Sequence, residues 1–120
     1  MVSDIDVVPD DAWLTVPAIV ELTGRSLQTV RRWLQDRELV GVRRGPNRAV
    51  MVPALFVTEE GPLPALRGTI VVLTDGGMAD EEIIRWLYDP DETLVGGSAI
   101  ASLRAGSKSE VRRRAQEHAF

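Results

Sequence analysis

The sequence predicts a mostly α-helical fold carrying one small β-hairpin, and three observations point to it. Apolar residues recur at helical spacing between capping residues along most of the chain. Two β-rich runs, 39–42 and 49–52, flank a cluster of turn formers. Finally, 44% apolar and 27% charged residues in a chain of 120 is the balance of a folded protein about one domain in size.

The N-terminal elements follow in order. Thr15 is an N-cap, and Pro17 falls in the first turn, where its missing N–H costs nothing. Ile19 and Leu22 continue an apolar face with Glu21 outside, and Gly24 supplies the positive φ of a tight reversal. Ser26 caps a second helix over 27–36. Leu27, Val30 and Leu34 stand at i, i+3 and i+7 as one apolar stripe, with Trp33 at its edge. Gln28, Thr29, Arg31, Arg32 and Gln35 fall on the opposite, solvent-facing arc. Two short helices joined by a glycine turn, the second with a polar, Arg-bearing outer face, make a helix-turn-helix pattern. The hairpin that follows has Gly45, Pro46 and Asn47 at its turn and Arg43, Arg44 and Arg48 around its tip, so residues 40–52 read as a basic wing.

Beyond the wing, Pro53 ends the second strand, 54–56 packs back on the helices, and 57–64 reads as loop. Thr69–Leu73 has strand propensity, but Gly76-Gly77 is a helix stop, and a helix from Leu66 is the reading adopted. Asp80 is expected to cap the next helix. Glu81 and Glu82 complement its dipole, Ile83, Ile84, Trp86 and Leu87 form its apolar side, and Asp89-Pro90 ends it. Ser98 caps a short helix through Ala105, with Ile100 and Leu103 inward. Ser109 stands where a cap would open the last helix, which carries Arg112, Arg113 and Arg114. The organisation is thus an acidic flexible tail at 1–12, a winged helix-turn-helix at 13–56 and a helical C-terminal region at 57–120 packed on it.

Composition excludes several function classes. Without cysteine there is no disulfide framework, thiol nucleophile or thiolate metal site. The single histidine, His118, lies near the C-terminus, and no nucleophile–base set, phosphate-cradling glycine loop or spaced ligand cluster appears, so neither catalysis nor a cofactor is expected. Asp75, Asp80, Glu81 and Glu82 are explained by capping and dipole complementation. Asp89–Glu92 lacks the alternating ligands of a calcium loop, so no metal site is expected. No apolar run approaches the ~18 residues of a membrane span, and the acidic start lacks the basic head of a signal peptide; the cytoplasm, at the nucleoid, is the expected location.

The formal net charge of −4 hides an alternating pattern. Residues 1–12 carry −4, 13–56 carry +4, 57–97 carry −7 and 98–120 carry +3. Sign asymmetry of this kind bears on partners more than the total does. The basic block coincides with the second helix and the wing. A major groove accepts a helix whose N-terminal residues meet base edges, here Ser26, Gln28, Thr29 and Arg32. Gln pairs with adenine, Arg with guanine, and Ser26 with the helix start suits a phosphate. Arg31 is assigned to the backbone, and Arg43, Arg44 and Arg48 to phosphates or a narrow minor groove. Trp13, Trp33 and Trp86 read as core fillers rather than base-stacking platforms.

On the run 14–22, Gly24, Ser26–Trp33, the basic hairpin 40–52 and Val52-Pro53, the span 14–56 resembles the winged helix-turn-helix of the MerR and excisionase-like families. With Asp75-Gly-Gly77, Trp86-Leu87 and the 111–116 ending added, residues 13–120 resemble a family of small actinobacterial DNA-binding proteins. The mycobacterial member of that family is a Ser/Thr protein kinase substrate, phosphorylated on a threonine of its N-terminal tail. Here Ser3 is the only hydroxyl residue before Thr15, so the resemblance transfers kinase control to no residue. The phrase 94–106 resembles the toxin-binding domain of Xre-type antitoxins, which implies a protein partner for 94–120. The sequence therefore supports double-stranded DNA binding in transcription regulation or nucleoid organisation. The alternative is a protein-interaction adaptor of helix-turn-helix shape that works through its C-terminal helices. No heptad repeat specifies an oligomer, and the oligomeric state is left open.

Overall fold

The structure, a computed structural model, describes residues 7–119. A short strand, β1 (Trp13–Thr15), runs directly into α1 (Val16–Thr23). Thr15 serves both, pairing with Met51 in the sheet and accepting a hydrogen bond from Ala18 N at 3.2 Å as N-cap. After the Gly24 turn comes α2 (Leu27–Gln35), then β2 (Val42–Arg44) and β3 (Ala49–Pro53). β3 is the centre of a three-stranded antiparallel sheet in the order β1-β3-β2. Register is set by Leu14↔Val52 on one side and Arg43↔Val50 on the other.

A 3-10 turn at Ala54–Phe56 leads into a second, two-residue hairpin, β4 (Val57–Thr58) with β5 (Gly61–Pro62), where the sequence predicted loop. The remaining chain is helical: α3 (Leu66–Asp75), α4 (Asp80–Tyr88), α5 (Ala99–Arg104) and α6 (Lys108–Ala119). α3 confirms the helical reading of the segment with strand propensity. Its buried Leu66, Thr69, Ile70 and Leu73 recur at helical spacing.

One continuous core joins the two halves: Ile19, Val30, Val52 and Phe56 from the first, Ile70, Ile83, Leu87, Ile100 and Val111 from the second. The seam is polar as well as apolar. The Leu55 N–H donates to the Tyr88 hydroxyl oxygen at 3.3 Å, and Arg104 Nη1 donates to the Leu55 carbonyl at 2.9 Å. Burial pushes the Tyr88 phenol up to about 12, against the lowering effects of the Leu55 hydrogen bond and Arg104. Gly61, with φ of 129°, lies under the Trp33 ring, so the second hairpin closes on α2.

Several expectations change in the folded chain. The first wing strand begins at Val42, because Leu39 and Val40 are drawn into the core after a reversal at Arg37, φ 62°. Trp33 is buried rather than at an edge, while Leu27 is 44% exposed on the first turn of α2. Asp80 does not cap α4 but opens it, held instead by Arg37 at 2.9 Å; Glu82 reaches back to the Ala79 N–H at 3.0 Å. α6 starts one residue before Ser109, directly after the Gly106 turn. Of the segment expected as a flexible tail, residues 1–6, including Ser3, lie outside the described residues. Val8 is 2% exposed in the core, so packed chain begins ahead of Trp13.

Candidate nucleic-acid interface

The N-terminal end of α2 is built by two hydroxyls. Ser26 Oγ accepts from the Thr29 N–H at 3.1 Å and donates to Thr29 Oγ1 at 2.9 Å. Both side chains are thereby occupied in shaping the helix start. Gln28, Arg31 and Arg32 are exposed on the same helix, and among the described residues the two arginines form no ion pair. Between α2, the start of α1 and the wing lies an open cleft of about 470 Å³. Its floor is apolar, with Val16, Pro17, Leu27 and Leu34, and Arg31 and Arg43 stand at its sides.

The wing separates its arginines by strand alternation. Arg43 is exposed, and its Nη1 donates to the Arg48 carbonyl at 3.0 Å, which braces the guanidinium over the turn. Arg44 takes the opposite face: its guanidinium lies 4.4 Å over the Trp13 ring and 3.3 Å from Asp10. Of the three arginines expected at the tip, Arg43 and Arg48 are presented outward, and Arg44 is turned back onto the protein.

Part of the acidic block, residues 80–82, faces the wing. A second cleft, about 560 Å³, has Val42, Arg43 and Arg48 on one wall and Asp80, Glu81 and Glu82 on the other. The C-terminal end of α2 is tied to the helices behind it. Arg67 Nε donates to the Asp36 carbonyl at 3.0 Å, and Arg37 Nη2 donates to Thr74 Oγ1 at 2.9 Å.

The arginine run of α6 divides in the same way. Arg113 is bound between Glu110 and Glu117, and Arg114 between Asp91 at 2.8 Å and Glu110 at 3.1 Å. Hydrogen bonds from Thr93 first, and the Arg114 charge after them, hold the Asp91 carboxyl below its ordinary range; Arg114 does the same chiefly for Glu110. Arg112 is different: its guanidinium rests against Gly68 of α3, and among the described residues it forms no ion pair.

The structure thus leaves Gln28, Arg31, Arg32, Arg43 and Arg48 exposed on α2 and the wing, with Arg31 and Arg43 lining one cleft, and holds Ser26, Thr29 and Arg44 in local contacts. Two further exposed cations escape sequence reasoning. Arg25 lies in the turn ahead of the Ser26 cap, and Arg67 lies at the far end of α2. Position in the helix-turn-helix turn could have flagged Arg25. Nothing local marks Arg67. Among the described residues, no helix is long and apolar enough to cross a membrane.

Comparison with known proteins agrees with this geometry in two pieces. Residues 3–57 match the family model described as "DNA-binding protein Rv2175c, wHTH domain". Residues 63–119, the part holding the antitoxin-like phrase, match "Rv2175c C-terminal domain of unknown function". The chain is 34% identical over 124 residues to the DNA-binding protein Rv2175c of Mycobacterium tuberculosis (strain ATCC 25618 / H37Rv), spanning 93% of this chain and 84% of that protein. Its fold is similar to the NMR structure of Rv2175c with a TM-score of 0.80 at 33% identity, over 93% and 84% of the two chains. With both segments matched in order and the fold shared, the chain belongs to the Rv2175c family of winged helix-turn-helix proteins.

Proposed function

We propose that this chain binds double-stranded DNA as a transcriptional regulator or nucleoid-associated protein. α2 enters the major groove, and the wing lies on the flanking groove or backbone. The observation that carries the reading is the sorting of arginines. Arg31 and Arg43 line the open α2–wing cleft and Arg32 stands exposed on the same helix, whereas Arg37, Arg44, Arg113 and Arg114 are held by carboxylates and Arg104 by carbonyls. A relative named as a DNA-binding protein supports it. In this reading Gln28 and Arg32 meet base edges, where a bidentate pair is worth about 1–3 kcal/mol of discrimination. Arg31, Arg43 and Arg48 neutralise phosphates, and Arg25 adds a contact at the turn. Ser26 and Thr29 fix the helix start, and Arg44 fixes the wing's angle by stacking on Trp13.

Single substitutions test these roles on a labelled duplex of about 25 base pairs. Arg32→Gln and Arg43→Gln are each expected to weaken binding about ten-fold, as loss of a charged contact of ~1.4 kcal/mol would. Arg44→Gln should change affinity by less than about three-fold and act mainly on stability, since an exposed cation–π contact is worth ~0.5–1 kcal/mol. Equal affinity for all three variants and the wild type would remove α2 and the wing as the contact surface.

A further inference from the structure

We infer that the C-terminal region carries a second phosphate-binding track, continuous with α2, so that the duplex is held by α3 and α6 as well as by the helix-turn-helix. This extends the DNA-binding reading above and rests on it. The track is traced contact by contact. Asp36 is the C-cap of α2, four residues beyond Arg32. The Asp36 carbonyl accepts from Arg67 Nε at 3.0 Å, placing an exposed α3 cation at the C-terminal end of α2. Gly68, next along α3, is where the Arg112 guanidinium of α6 comes to rest, in space that a Cβ would fill. Glycine is a poor residue for a helix interior, and here it leaves room for a cation. Lys108, Arg112 and Gln116 recur every four residues as one ridge of α6 and line an open hollow of about 280 Å³.

Charge decides the partner. The neighbouring arginines of α6 are neutralised by Glu110, Glu117 and Asp91, so they offer nothing to an anion. Arg67, Lys108 and Arg112 form no ion pair among the described residues and stay available. A line of unpaired cations that starts at Arg31 and Arg32 and leaves along α3 and α6 fits a repeating polyanion. A duplex seated on α2 supplies that repeat in its phosphate backbone.

The test uses the full chain and a duplex of about 25 base pairs, with affinity measured by fluorescence anisotropy across salt concentration. Each lost phosphate contact should flatten the log–log salt dependence by about 0.9, so the Arg67→Gln/Lys108→Gln/Arg112→Gln variant should lose about 2 to 3 from the slope. Because Arg112 packs on α3, Lys108→Gln is measured alone. It lies on an exposed first turn and should lose about 0.9 from the slope with an unchanged Tm. Wild-type binding with the same slope in the triple variant and in Lys108→Gln overturns the track and leaves the helix-turn-helix reading standing. No binding by the wild type overturns both.

Discussion

Arg43 and Arg44 are adjacent in sequence and identical in chemistry, yet the strand sends one to solvent and the other onto Trp13 and Asp10. What an arginine does here is settled by the acids and rings within reach, not by its place in a basic run. Tyr88 shows the same dependence on neighbours. Its hydroxyl lies at the seam between the two halves, accepts from Leu55, and is kept protonated by burial. Its folded pKa, about 12, stands above the ordinary 10.0 of an unfolded tyrosine. Its contribution to stability is therefore complete below pH ~10 and is lost as the pH climbs to ~12, where the folded phenol ionises. As the chain has a single tyrosine, tyrosinate absorbance reports this group alone. The native midpoint should lie near 12 and the denatured one near 10; coincident midpoints would mean that the hydroxyl is solvated in the folded chain.

Among the elements, those with strong local punctuation were legible in the sequence. α1, α2 and α5 start at the capping residues Thr15, Ser26 and Ser98, each of which accepts the expected backbone N–H. Ser26→Ala should cost about 1 kcal/mol, read as a lower denaturant midpoint with an unchanged slope. A loss below about 0.3 kcal/mol would mean that the cap is not what fixes the start of α2. Elements that depend on distant partners were not legible. β1 is three residues long and exists because β3, nearly forty residues later, pairs with it. Leu39 and Val40 have strand propensity but are taken into the core by the reversal at Arg37, which shortens the wing strand. The candidate site follows the same division. The polar arc of α2 came from helical periodicity, so the exposure of Gln28, Arg31 and Arg32 was legible. The commitment of Ser26 to Thr29, of Arg44 to Trp13, and of Arg113 and Arg114 to carboxylates needs tertiary geometry.

Taken whole, the molecule carries a formal charge of −4 and still presents exposed arginines on α2 and the wing. Several carboxylates of the C-terminal half are engaged in place: Asp80 with Arg37, Asp91 with Thr93 and Arg114, Glu110 with Arg113 and Arg114. The C-terminal region also fixes the direction of α2. Arg67 and Arg37 tie the end of that helix to α3 and α4, and the second hairpin closes on Trp33. Orientation of the presented helix is thus a property of the entire fold. The most direct measurement is the affinity of the wild-type chain for a duplex of about 25 base pairs, titrated across salt by fluorescence anisotropy. A slope of about −4 to −6 on log–log axes is expected from the exposed arginines of α2 and the wing and the cations that extend them. A flat dependence, or no binding even at ~50 mM salt, would contradict DNA binding by this surface.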